Sequence, residues 1–109
     1  MAGAQLYEVV FDTAARQDLK DIFDYISGRA SLAIAETFVL KLYHQCIGLR
    51  HVPERGTRRD ELRPGLRTLG YRRRATILFE VDHSRHQVTI LGIYYGVRNY
   101  ADDFTDESD

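Results

Sequence analysis

The chain has 109 residues, of which 44% are hydrophobic and 28% charged, and a formal net charge of −1. This is the composition of one ordinary soluble domain, long enough to bury a single core. It excludes a membrane-spanning helix, because no apolar run approaches the ~20 residues a bilayer requires, and a disulfide framework, because Cys46 is the single cysteine.

The opening MAGAQLYEVV has neither the basic flank nor the long apolar stretch of a secretion signal, so the expected compartment is the cytoplasm. Residues 1–5 are expected to be disordered. Leu6 to Phe11 is rich in β-formers and predicts a first strand. Asp12 and Thr13 are good helix-capping types, and Ala15, Leu19, Ile22, Phe23 and Ile26 then recur at helical spacing. Arg16, Asp18, Lys20, Asp21 and Asp24 fall largely on the opposite face. The spacing predicts a helix over 13–27, closed by Gly28 as a C-terminal cap. Ser31 can cap a second helix whose stripe is Ala35, Phe38, Val39, Leu42, Cys46 and Leu49, ended by Pro53. A linker of three or four residues makes the two an antiparallel hairpin.

Residues 54–65 are polar and turn-rich. Leu66 to Gly70 predicts a strand with Leu66 and Thr68 on one face and Arg67 and Leu69 on the other. Ala75 to Val81 and Val88 to Tyr95 are apolar on both faces, which predicts central strands. Tight connections among the last three strands make an antiparallel meander. The expected order is β-α-α-β-β-β, class α+β, with a helical hairpin packed on a small sheet. The division is one domain over 1–100 and an acidic tail over 101–109.

The near-zero net charge conceals an asymmetry. Residues 50–74 hold nine arginines (Arg50, Arg55, Arg58, Arg59, Arg63, Arg67, Arg72, Arg73, Arg74) against Glu54, Asp60 and Glu61. The tail holds Asp102, Asp103, Asp106, Glu107 and Asp109; without those five acids the formal charge would be −1 + 5 = +4. The basic stretch therefore suits an acidic partner, with the tail as a local competitor, or it is a self-neutralised surface.

Several chemistries find no footing. No glycine loop leads into a helix to cradle phosphate. His44 and Cys46 point apart on their helix, and His83 and His86 share one loop, so no metal spacing is present. Cys46 lies on an apolar stripe and reads as a small core residue. No cofactor is expected. What remains is arginine beside tyrosine. Guanidinium forks suit phosphate and carboxylate, and Tyr71, Tyr94, Tyr95 and Tyr100 suit stacking or interface anchoring. Arg67 sits among apolar neighbours and is equally well explained as a structural residue paired with a carboxylate. Tyr94 and Tyr95 must face opposite ways.

The ordered residues of the chain resemble the ParE toxins of the RelE/ParE superfamily, the toxin half of type II toxin–antitoxin modules. They are Tyr7 and Val9, Asp18-Leu19 and Ile22, Tyr25-Ile26, Ala35 and Leu42, Pro53 and Gly56, and Glu61 to Arg67. Ile77 to Val81, Val88 to Leu91 and Gly96-Val97-Arg98 complete the set. The centre of the match is Pro64-Gly65-Leu66-Arg67. The resemblance implies a helical hairpin on a mainly antiparallel sheet, inhibition of DNA gyrase without a cofactor, and neutralisation by a ParD-like antitoxin. The antitoxin complex would be a heterotetramer or larger, and would touch DNA only through the antitoxin.

RelE-like relatives instead cut messenger RNA on the ribosome. Arg67 and Arg98 match basic positions of that pattern, but Phe104 stands near the place of its tyrosine acid and cannot exchange a proton. The expectation is therefore a gyrase-binding inhibitor rather than a catalyst. The alternatives are a ribonuclease using Arg67 and Arg98, or an inactive homologue that only binds its antitoxin. Expected target contacts are Arg72, Arg73, Arg74, Tyr94, Tyr95 and Arg98. Expected antitoxin contacts are Leu19, Phe23, Phe38, Leu42, Arg58 and Arg59.

Overall fold

A computed structural model describes residues 6–96. The expectations for residues 1–5, Arg98, Tyr100, Phe104 and the acidic tail lie outside them. The elements are β1 (Glu8–Phe11), α1 (Thr13–Arg29), α2 (Leu32–Ile47), a 3-10 turn at Gly48–Arg50, β2 (Thr57–Arg58), β3 (Leu66–Tyr71), β4 (Ala75–Asp82) and β5 (Gln87–Tyr95). The sheet order is β1-β5-β4-β3-β2. β2 to β5 pair antiparallel, and β1 runs parallel to β5, with Glu8 opposite Gln87.

Both helices start as their capping residues dictate. The Asp12 carboxylate accepts from the Thr13 amide, and the Ser31 hydroxyl accepts from the Ile34 amide at 3.1 Å. Gly28 does not close α1. The helix runs on to Arg29, and the amide of Ala30 caps the Ile26 carbonyl. A two-residue link, Ala30 and Ser31, then suffices to reverse the chain. α2 ends at Ile47 and tightens into the 3-10 turn, so Pro53 acts several residues beyond the helix rather than at its end.

The core forms where the helical stripes meet one face of the sheet. Ala15, Ile22, Ile26, Ala35, Leu42 and Cys46 pack on Ala75, Ile77, Phe79, Val88, Ile90 and Ile93. Leu66, Thr68 and Leu78 are also buried but stand outside this cluster, and Thr68 pairs with Leu78 across the strands. The sheet's regular alternation breaks once. Leu78 faces Gly92 and Phe79 faces Ile90, so Leu91 is an extra residue, a β-bulge in β5.

The bulge has a dedicated partner. The Asp18 carboxylate accepts from the Ile93 amide at 2.8 Å. A Cβ on Gly92 would come within 3.3 Å of the same carboxylate, so glycine there leaves room for it. Asp18 thus faces the sheet, not the outer polar face of α1 that its spacing suggested. A backbone donor freed by the bulge attracts an acceptor whatever the helical period prescribes.

Candidate functional site

The basic stretch folds into two separate places. Arg67 and Arg72 stand at opposite ends of β3, about 16 Å apart at the usual strand rise.

At the first end the arginines are neutralised at home. Arg58 pairs with Asp60 at 2.8 Å, Arg59 with Glu61, and Arg63 with Glu80 at 2.7 Å. The Gly65 amide and then the Arg58 guanidinium hold the Asp60 carboxyl below its ordinary range. Arg59 likewise lowers the carboxyl of Glu61. Arg67 turns to the preceding loop and donates to the carbonyls of Arg55, at 3.1 Å, and Glu54, at 2.7 Å. Its partners are backbone carbonyls, where a structural role had suggested a carboxylate. Gly56 permits this turn. Its φ is +81°, and a Cβ would lie 2.2 Å from the Thr68 carbonyl oxygen.

Beside this loop lies a cluster the sequence did not suggest. The Tyr7 hydroxyl lies 2.7 Å from His83 Nδ1, and Glu54 lies 3.1 Å from Nε2. The His83 and His86 rings both stand edge-on to Tyr7. The cluster ties the chain entering β1 to the β4–β5 loop and to residue 54.

At the other end lie three more arginines. Arg72, Arg73 and Arg74 form the β3–β4 hairpin tip and all are exposed. Among the described residues none of the three has a carboxylate partner, unlike Arg58, Arg59 and Arg63. The turn is closed by the Arg74 amide donating to the Tyr71 carbonyl at 2.9 Å. Arg72 and Arg73 take φ of 52° and 57°, the left-handed region that usually holds glycine or asparagine.

Four aromatic rings run inward from this tip, each edge-on to the next. Tyr71 meets Phe38 at 5.6 Å, Phe38 meets Tyr95 at 5.5 Å, and Tyr95 meets Tyr25 at 5.7 Å. A guanidinium covers each end of the row, with Arg72 at 5.5 Å over Tyr71 and Arg29 at 4.4 Å over Tyr25. The row spans α1, β5, α2 and β3 and makes one rigid basic end of the domain. Tyr95 belongs to it and packs on the core, whereas Tyr94 points to the other sheet face opposite Thr76.

The third feature is apolar. α2 is hydrophobic on two sides, and Leu32, Ile34, Leu40 and Tyr43 are exposed, with Leu32 at 68%. Leu19 and Phe23 of α1 join Val39, Leu40 and Tyr43 in lining a groove of about 540 Å³ along the helical hairpin. Phe11 of β1 stacks on Tyr43 at 5.4 Å and extends this apolar surface to the sheet edge. A surface helix that is apolar beyond its core stripe marks a contact surface. Among the expected antitoxin contacts, Leu19 and Phe23 line this groove and Phe38 stands in the aromatic row. Leu42 is fully buried and supports the surface from beneath. Arg58 and Arg59 lie in the self-paired loop. Leu40 and Tyr43 lie off the apolar stripe that faces the core, so helical spacing alone does not single them out.

Burial pushes the Cys46 thiol from its ordinary 9.0 up to about 12, which removes it as a nucleophile. No helix among the described residues is long and apolar enough to cross a membrane.

Comparison with known proteins follows the same outline. Residues 9–100 match the family model described as the ParE toxin of the parDE type II toxin–antitoxin system. Among solved structures, the chain is similar to one from the chromosomal ParDE toxin–antitoxin system of P. aeruginosa. That match has 24% identity and a TM-score of 0.73, and covers 85% of this chain and 99% of that one. It is also similar to the RelBE2 toxin–antitoxin complex of Mycobacterium tuberculosis, with 22% identity, a TM-score of 0.65, and coverage of 90% and 100%. A mutant of the E. coli toxin RelE in the free state matches at 13% identity and a TM-score of 0.64, covering 94% and 97%. At these identities the structural likeness shows the fold, a RelE/ParE-like hairpin of helices on a mixed sheet. No curated protein gives a match.

Proposed function

The chain belongs to the ParE toxin family of type II toxin–antitoxin systems, and from that membership we propose that it inhibits DNA gyrase by binding and is neutralised by a ParD-like antitoxin. It acts in the cytoplasm, without a cofactor and without catalysing a reaction. Residues 1–100 form the toxin domain and 101–109 an accessory acidic tail.

The observation that carries binding over RNA cleavage is the engagement of Arg67. A ribonuclease of the RelE type would aim this residue at the message. Here the guanidinium is turned to the carbonyls of Glu54 and Arg55. Arg72, Arg73 and Arg74 have no carboxylate partner among the described residues and stand together on the exposed hairpin at the far end of β3. Their fork-shaped heads and the adjoining aromatic row suit a protein surface rich in carboxylates. Arg98 and Tyr94 complete the proposed target surface.

The antitoxin partner is assigned to the helical groove. A segment that folds on binding would lay an apolar helix face against Leu19, Phe23, Leu40 and Tyr43. Covering ~800 Å² per partner makes such a complex stable.

The test is direct. Purified protein is titrated into gyrase supercoiling and DNA-cleavage assays, where inhibition and persistent cleavage complexes are expected. Full gyrase activity at a large molar excess of a well-folded preparation removes gyrase as the target. Message cleavage in a translation extract, lost on Arg67→Ala, would move the chain to the ribonuclease reading.

A further inference from the structure

We propose that the acidic segment following β5, residues 97–109, docks onto the arginine hairpin of its own chain and competes there with acidic partners. Three observations converge on this, and none depends on what the toxin's target is.

The first is unmet charge. Arg72, Arg73 and Arg74 are all exposed with no carboxylate partner among the described residues, whereas Arg58, Arg59 and Arg63 at the other end of β3 each have one. The second is the point of departure. The Gly96 amide donates to the Arg74 carbonyl at 2.7 Å, so the chain leaves β5 directly alongside the hairpin. The third is what leaves. The segment carries Asp102, Asp103, Asp106, Glu107 and Asp109 against one cation, Arg98, and interleaves them with Tyr100 and Phe104.

Reach is sufficient. Asp102 follows Gly96 by six residues, a span of up to ~20 Å when extended and about 13 Å as a coil. A partly apolar groove of about 370 Å³ lies beside the hairpin, lined by Ile34, Phe38, Tyr71 and Arg72. It accepts one aromatic side chain, and Phe104 lies between the two acid pairs that would straddle the arginines. Each exposed ion pair is weak by itself. The tether compensates, because it holds the acids at an effective concentration in the millimolar range (~10⁻³ M). Contact is therefore populated at low salt and lost when the Debye length shrinks from ~14 Å at 50 mM to ~4 Å at 0.5 M.

The docked tail would cover the same arginines that we assign to the target surface. It would act as an internal competitor that an acidic partner must displace.

The experiment uses the full chain with Ser108→Cys carrying a nitroxide; Cys46 is buried and stays unlabelled in the native state. Amide signals of Ile34 and Tyr71 to Arg74 should broaden in 50 mM salt and recover in 0.5 M salt. Neutralising the tail (D102N/D103N/D106N/E107Q/D109N) should abolish the broadening while leaving the arginines in place. R72S/R73S/R74S should abolish it from the other side. A chain ending at Tyr100 should bind a poly-glutamate probe about tenfold more tightly than the full chain at low salt. Broadening that is absent, evenly spread, centred on the helical groove or insensitive to salt overturns the proposal. So does equal poly-glutamate affinity of the two chains. Broadening that fades on tenfold dilution means that the tail reaches a second copy, and also overturns it.

Discussion

The hairpin tip combines two costs that a neutral turn would avoid. Arg72 and Arg73 both adopt left-handed backbone, which disfavours an ordinary residue by about 1–2 kcal/mol each. They also crowd positive charge beside Arg74. Replacing them by the pair this turn prefers, R72N/R73G, relieves both. Glycine at 73 returns roughly 0.5–1 kcal/mol through its freedom in the unfolded chain. The net expectation is a gain of about 1 kcal/mol. For 109 residues the unfolding entropy is about 0.23 kcal/mol/K, so the melting temperature should rise by ~4 °C. The control R72K/R73K keeps charge and strain, and should melt with the wild type. Thermal melts followed by circular dichroism give stability, and gyrase supercoiling gives function. The reasoning fails if R72N/R73G melts at or below the wild-type temperature. If it is more stable and still a full inhibitor, the hairpin is not where the target is met.

Three further outcomes are expected. Arg67→Met removes two donors but leaves carbonyls that water can reach, so it should cost only ~1 kcal/mol and leave gyrase inhibition within about twofold; lost inhibition with unchanged stability would make Arg67 a contact residue. Asp18→Leu strands the partly buried Ile93 amide at the bulge and should lower stability by about 1–3 kcal/mol in urea denaturation, with Asp18→Asn losing less. A melt indistinguishable from wild type would mean that water replaces the carboxylate. Cys46 has a native pKa above its unfolded one, so its contribution is intact below pH 9.0 and erodes as pH rises towards about 12. The measurable signs are stability falling above pH 9 less steeply in Cys46→Ala, and iodoacetamide labelling that appears only on unfolding.

What sequence could disclose followed from periodicity. The stripes Ala15-Ile22-Ile26 and Ala35-Leu42-Cys46 fixed both helices and their buried faces, because burial selects a 3.6-residue spacing directly. The unbroken runs in β4 and β5 likewise announced central strands. Features set by a partner far along the chain were hidden. Nothing in Leu6 to Phe11 encodes its parallel match to β5, and nothing near Asp18 encodes a bulge at Leu91. Gly28 misled because glycine caps a helix only when its backbone turns left-handed, and here Gly28 keeps helical backbone and the helix runs on to Arg29. At the site, the tyrosine–arginine combination was visible but its division was not. Arg58, Arg59, Arg63 and Arg67 find partners at home, through loop geometry that composition does not express. Pro53-x-x-Gly56 was the available signal, since it marks the turn whose carbonyls Arg67 meets.

The parallel pairing of β1 with β5 also sets the order in which the protein can be made. Residue 8 finds its strand neighbour only at residue 87. At ~5–20 residues per second, translation separates the two by roughly 4–16 seconds. α2 ends at residue 47, so for the last 87 − 47 = 40 residues of that span, roughly 2–8 seconds, both helices exist without β5. The nascent chain therefore cannot close its core early, and its hydrophobic hairpin is open to whichever binding partner is already present. Synthesis itself gives a waiting antitoxin several seconds' start over any target that recognises the finished fold.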